Sequence, residues 1–194
     1  MPVLYFGTQV VAAPFYPQYS FTELVASMLG TTHSRHPWIF NAGAVLIGFA
    51  SIGGSFGLYE VFRPSTRGWL SPLLGFSVAW IGVMSIKAGI FPLPDPCHAT
   101  RGLIFVLLPP VLMGIGIGRL GHFPRLRAYL FLSVLLLVPV VLALKGKLTI
   151  PGLGWGTLQR LFALAAFVPI GVVGFFFLRR EQRRIVQSPS RKLS

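Results

Sequence analysis

Side chains able to do chemistry are scarce in this chain, and they gather in two places. Residues 87–102, KAGIFPLPDPCHATRG, bring Lys87, Asp95, His98 and Arg101 together with three prolines. Residues 17–37, PQYSFTELVASMLGTTHSRHP, supply Glu23, His33 and His36. Carboxylate plus imidazole is a zinc ligand set. Glu23, Asp95 and His98 are therefore candidate metal ligands and candidate catalytic groups. Lys87 and Arg101 offer charge-assisted hydrogen bonds to an anionic head group, with Asn41 as a further polar ligand group.

Both stretches also have a plainer use. Ser20 followed three residues on by Glu23 is the pattern of a capping box. Asp95 followed by Pro96 is a helix N-cap with proline at the first helical position. Capping accounts for Asp95 and the prolines, and leaves Lys87, His98 and Arg101 over. No HExxH, G-x-S-x-G or phosphate-binding loop accompanies them. The string MGIGIG (113–118) lacks the third glycine and the preceding strand of a dinucleotide fingerprint. Cys97 is the single cysteine, so it has no internal disulfide partner and belongs to no CxxC pair.

The elements that must position these residues are membrane helices. The chain is 54% hydrophobic and 11% charged, with a mean hydropathy of +0.72. Soluble domains carry about 25% charged residues, so this composition cannot cover a soluble surface. The net charge of +13 does not point to nucleic acid. The cations flank apolar runs or sit in the C-terminal segment, and no basic stripe interleaved with aromatics is present.

A crossing helix needs about 20 mainly apolar residues. Stretches 38–62, 69–91, 100–118, 128–145 and 157–178 meet that length, and 3–16 is a shorter sixth. Fourteen helical residues reach only about 21 Å against a hydrocarbon core of about 30 Å. The first helix must then tilt into a thin region, or begin upstream of Met1. Pro109, Pro110, Pro139 and Pro169 fall inside these runs, as a helix bundle tolerates. Between 17 and 37, Phe21, Leu24, Val25, Met28 and Leu29 recur at helical spacing, which predicts a short amphipathic helix at the membrane boundary. The fold class is thus an all-α helix bundle of about six transmembrane helices, a single domain over 1–178, with a basic tail over 179–194. Gly114 and Gly118 form a small-xxx-small pair for close helix packing, within the bundle or in a homo-oligomer.

Cation placement sets the orientation. Arg63, Arg67, Arg119, Arg125, Arg127 and six residues of the tail lie at one end, against Arg35, Arg101, Lys145 and Lys147 at the other. The positive-inside rule then puts both termini in the cytoplasm and the two polar stretches outside the cytoplasmic membrane. Lys87 and Arg160 lie inside apolar runs, close enough to the outer ends to snorkel. Trp38, Trp69 and Trp155 fall near helix ends, and Trp80 is mid-helix.

The residues Glu23 and Leu24, Asn41 and Gly43, the string Gly89-x-Phe91-Pro92, and then Asp95 and His98 resemble a bacterial membrane family designated domain of unknown function 998. The resemblance runs from about 20 to 118. It implies six helices and a shared outer polar cluster, and implies no activity. Two features depart from the pattern: the first helix is short, and Lys87 stands where a small or apolar residue is expected.

Two functions follow as expectations. One is a non-enzymatic membrane protein that binds a lipid or small apolar molecule, or serves as an accessory subunit of a membrane assembly. Its partners would be membrane lipids, further copies or other subunits, and no nucleic acid. The other is a metal-dependent membrane hydrolase acting on a lipid head group through Glu23, Asp95 and His98. A transporter fits less well, since no acidic residue lies mid-bilayer to couple ions.

Overall fold

The computed structural model describes residues 1–64, 68–98 and 103–187. Within them the chain forms six α-helices, and no strand is found among the described residues: α1 (Pro2–Ala12), α2 (Pro37–Phe62), α3 (Leu70–Ile90), α4 (Leu108–Leu120), α5 (Pro124–Leu144) and α6 (Trp155–Gln187). Among the described residues four stretches are long and apolar enough to cross a membrane: α2, α3, α5 and the Trp155–Arg180 part of α6. The protein is an all-helical membrane bundle.

Three elements differ from the sequence expectation. The helix foreseen from residue 100 begins as α4 only at Leu108, preceded by a 3₁₀ helix, Leu103–Leu107. Pro109 and Pro110 set that boundary. In the first turn of a helix the missing N–H groups have no intrahelical partner to lose, whereas deeper in they would break the ladder. The last helix does not stop near 178 but runs through the basic residues to Gln187. The amphipathic helix expected between 17 and 37 is a single short 3₁₀ helix, Ala26–Gly30, within a run of turns. Its first amide, Ala26, bonds the Gln159 side chain of α6, and the preceding Thr22 and Glu23 carbonyls accept from the first amides of α6.

The bundle is turned outward in its chemistry. Large apolar side chains such as Phe49, Phe56, Phe76, Leu135 and Phe175 are exposed, which suits lipid as the solvent. Ser51, Ser55, Ser77 and Ser133 are buried. Each donates its hydroxyl to a carbonyl three or four residues back on its own helix, so none of these four hydroxyls is stranded.

Helices α2 and α3 pack closest. A Cβ built on Gly48 would lie 2.6 Å from the Gly82 carbonyl oxygen, and one on Gly82 would lie 2.6 Å from the Gly48 oxygen. A Cβ on Gly89 would meet the Asn41 oxygen at 2.5 Å. Between them Ser85 donates to the Ala44 oxygen across the pair at 2.8 Å. Close approach through small residues plus an interhelical hydrogen bond is the usual adhesive between helices in lipid.

The two halves of the bundle are filled differently. Towards the arginine-rich end, Phe62, Leu70, Leu74, Met113, Ile117 and Leu130 form a solid core. Towards the opposite end, a mainly apolar wall that includes several alanines lines a cavity.

Gly82→Ala is expected to lower stability by about 1–3 kcal/mol through overpacking against the α2 backbone. Gly53→Ala, whose added methyl meets nothing within 4 Å, is expected to leave stability unchanged or raise it by up to about 1 kcal/mol. Thermal unfolding of both variants in detergent checks the contrast.

Candidate functional site: a roofed apolar cavity

The cavity is built from the ends of four helices. The first turns of α2 contribute Phe40, Ala44 and Ile47. The last turns of α3 contribute Trp80, Ile81, Met84, Ser85 and Ala88, one face of that helix. From α6 come Gln159, Phe162, Ala163 and Phe167, and from α1 Tyr5. Val25, Ala26 and Ser27 roof it, with Leu93 and His98 beside them. Its volume is about 390 Å³, in the range of pockets that take small molecules. Ala44, Ala88 and Ala163 leave the space that leucine or phenylalanine would fill. Among the described residues no Lys, Arg, Asp or Glu side chain lines it.

The roof is held by α6. The Thr22 and Glu23 carbonyls accept hydrogen bonds from the Thr157 and Gly156 amides at 2.9 and 3.2 Å. These amides belong to the first turn of α6, which has no intrahelical carbonyl to offer them. Such an approach requires glycine. A Cβ on Gly156 would come within 2.6 Å of the Phe21 oxygen, and one on Gly154 within 2.6 Å of the Glu23 carboxylate. One turn further in, Gln159 Oε1 accepts from the Ala26 amide.

Arg160 completes the attachment. Its guanidinium donates to the carbonyls of Phe21, Leu24 and Gly156 and, at 2.7 Å, to the Tyr19 hydroxyl. It also lies over the rings of Phe21 and Tyr19, 4.9 and 5.8 Å from their centroids. Burial holds the Tyr19 phenol above its ordinary pKa, and the neighbouring guanidinium pulls it the other way. A cation that sequence alone reads as snorkelling to the surface is instead the tie between α6 and the roof.

The residues singled out by sequence go to different tasks. Asp95 is a cap, accepting from the Cys97 amide at 2.7 Å, but the element it opens is only the 3₁₀ turn Pro96–His98. His98 Nδ1 donates to the Phe91 carbonyl at 2.8 Å, and the ring lines the cavity rim. Glu23 lies at the α6 attachment, where its amide bonds Ser20 Oγ at 3.2 Å. Asn41 donates to the Gly30 carbonyl at 3.1 Å and ties the roof to α2. Lys87 is half-buried in the last turn of α3, outside the cavity lining. Arg101 lies outside the described residues.

The proposed metal set of Glu23, Asp95 and His98 is not brought together. Among the described residues no three His, Cys, Asp or Glu groups gather where they could hold one ion. Asp95 and His98 make local backbone bonds, and Glu23 packs on the start of α6. Of the candidate residues that are described, only His98 lines the cavity.

Sequence reasoning missed the cavity wall and the α6 attachment. The signals were present: an Arg beside a Gln one turn into an apolar run, preceded by GLGWG (152–156).

The family resemblance can now be judged against the whole chain. The family described as protein of unknown function (DUF998) matches residues 1–175. The chain belongs to the DUF998 family. The match extends past the 20–118 stretch to α1 and most of α6, so it takes in every wall of the cavity and both partners of the roof attachment. No curated protein matches the chain, and no solved structure does.

Arg160→Leu is expected to cost about 2–3 kcal/mol, since it strands several acceptors that were served by a charged donor. Amide exchange at Ala26, Gly156 and Thr157 is expected to rise at least about tenfold as the roof detaches. Arg160→Lys recovers only part of this, because an ammonium cannot reproduce the planar fork. Hydrogen exchange with mass spectrometry measures all three proteins.

Proposed function

We propose that this DUF998 protein is a multi-pass protein of the cytoplasmic membrane that holds an uncharged, mostly apolar lipid or lipid-like molecule in the roofed cavity. The observation that carries this reading is the lining itself: apolar side chains with a few neutral polar groups and, among the described residues, no ionic ones. A charged ligand would be left unpaired in such a wall. A larger groove of about 820 Å³ lies at the other end of the bundle, between α2 and α6. Its lining includes Glu60 and Arg180, so it lacks the uncharged wall of the roofed cavity.

The orientation follows the cation bias, with both termini in the cytoplasm and the cavity in the outer half of the bilayer. Cys97 is exposed at the cavity end, and His122 is exposed in the turn between α4 and α5.

Two experiments test the reading. Protein purified in mild detergent is expected to carry about one uncharged lipid per chain by mass spectrometry of its extract. Ala88→Phe, which places a ring in the cavity, is expected to cut that occupancy at least about tenfold. Absence of any retained lipid would count against the proposal. In intact cells an impermeant maleimide is expected to label native Cys97, and to label a Cys97→Ala, His122→Cys protein only after lysis. The opposite pattern overturns the orientation.

A further inference from the structure

One polar group of the cavity wall has an unmet requirement. Trp80 Nε1 is sealed from water and has no acceptor among the described residues. A buried donor left unmade costs free energy, and indole N–H groups inside proteins ordinarily find a partner. Gln159 has its carboxamide oxygen occupied by the Ala26 amide, so what it offers a ligand is its N–H. Ser85, the third polar group on the α3 face, has already committed its hydroxyl proton to the Ala44 carbonyl. Of these three groups the unmet one is a donor, the Trp80 N–H, while Ser85 keeps only an acceptor oxygen.

Trp80 also stands between the cavity and the lipid. Its ring stacks with Phe76, centroids 6.0 Å apart, and meets Phe105 edge-on at 6.2 Å. Both phenylalanines are exposed on the outside of the bundle, so Trp80 is the side chain that a molecule crossing from bilayer to cavity at this point would meet.

We infer that the ligand is an uncharged chain molecule carrying a carbonyl oxygen, which accepts a hydrogen bond from Trp80 Nε1 while its hydrocarbon part fills the space beside Ala44, Met84 and Ala88. This rests on the cavity being the binding site and adds the ligand's functional group. A pure hydrocarbon leaves the indole donor unmet, and a carboxylate brings a charge that the wall does not neutralise. The carbonyl can belong to the ester of a glycerolipid or to the ring of an isoprenoid quinone, and both present the same acceptor.

The test compares four probes on the purified full-length protein: monoolein, a benzoquinone with a decyl tail, octadecene, and oleate at pH 8. Retention of radiolabelled probe is measured on wild type and on Trp80→Phe, which keeps an aromatic ring and removes the donor. At least one carbonyl probe is expected to bind near one per chain, and Trp80→Phe to weaken it about five- to tenfold, the worth of one hydrogen bond. Octadecene is expected to bind more weakly and equally to both proteins, and oleate weakest. Preference between monoolein and the quinone identifies the source of the carbonyl.

A second measurement leaves Trp80 intact. Trp38, Trp69 and Trp155 are each more than half exposed, so their joint replacement by Phe leaves Trp80 as the single reporter. Its emission is expected to move to longer wavelength with the carbonyl probe and not with octadecene. Equal binding of octadecene and the carbonyl probes, with no effect of Trp80→Phe and no emission shift, overturns the inference while the cavity reading stands. Tighter binding of oleate than of the carbonyl probes also overturns it. Failure of every probe to bind, or binding that Ala88→Phe does not reduce, overturns both.

Discussion

The site depends on one side chain that ought to be a liability. Arg160 lies one turn into the apolar last helix, where an unpaired cation would be costly. The fold offsets this by bringing the 19–25 stretch over the end of α6, so that the Phe21 and Leu24 carbonyls and the Tyr19 phenol join the Gly156 carbonyl of α6 around the guanidinium. The same contact satisfies the stretch, whose turns leave carbonyls without helical partners. Charge and irregular backbone thus stabilise each other. The result is a roof over a cavity that helices alone would leave open to water.

The glycines at the attachment are part of that constraint. Gly154 and Gly156 let the backbone of 21–24 reach the free amides at the start of α6. On the other side of the cavity, Gly48, Gly82 and Gly89 draw α2 and α3 into contact and fix the spacing of the wall they share. The hollow is therefore held open by well-packed surroundings. Close contact at the helix pair and at the roof surrounds a wall in which Ala44, Ala88 and Ala163 leave space unfilled, while the other half forms a solid core.

Much of the bundle was legible in the sequence. Apolar runs separated by cation-flanked turns identify the helices, because length and hydropathy are the terms a bilayer reads most directly. The boundaries that went astray did so for local reasons. Pro109 and Pro110 serve a helix start just as well as they interrupt a helix, and periodicity does not separate the two. The spacing of Phe21, Leu24, Val25, Met28 and Leu29 is helical, yet Ala26 gives its amide to Gln159, a residue 133 positions away. Periodicity is blind to such a partner.

By itself the sequence determined the class of solvent, the helical architecture, the Asp95 cap and the side of the bundle where polar residues collect. All are set by composition, local spacing and neighbouring residues. Only the tertiary structure decided which polar residues meet. Glu23, Asp95 and His98 are drawn apart because each finds a nearer backbone partner or a different helix, and Arg160, Gln159 and Trp80 acquire their meaning from segments remote in the chain. A cavity, likewise, is a property of what faces what across helices, and no single helix carries it.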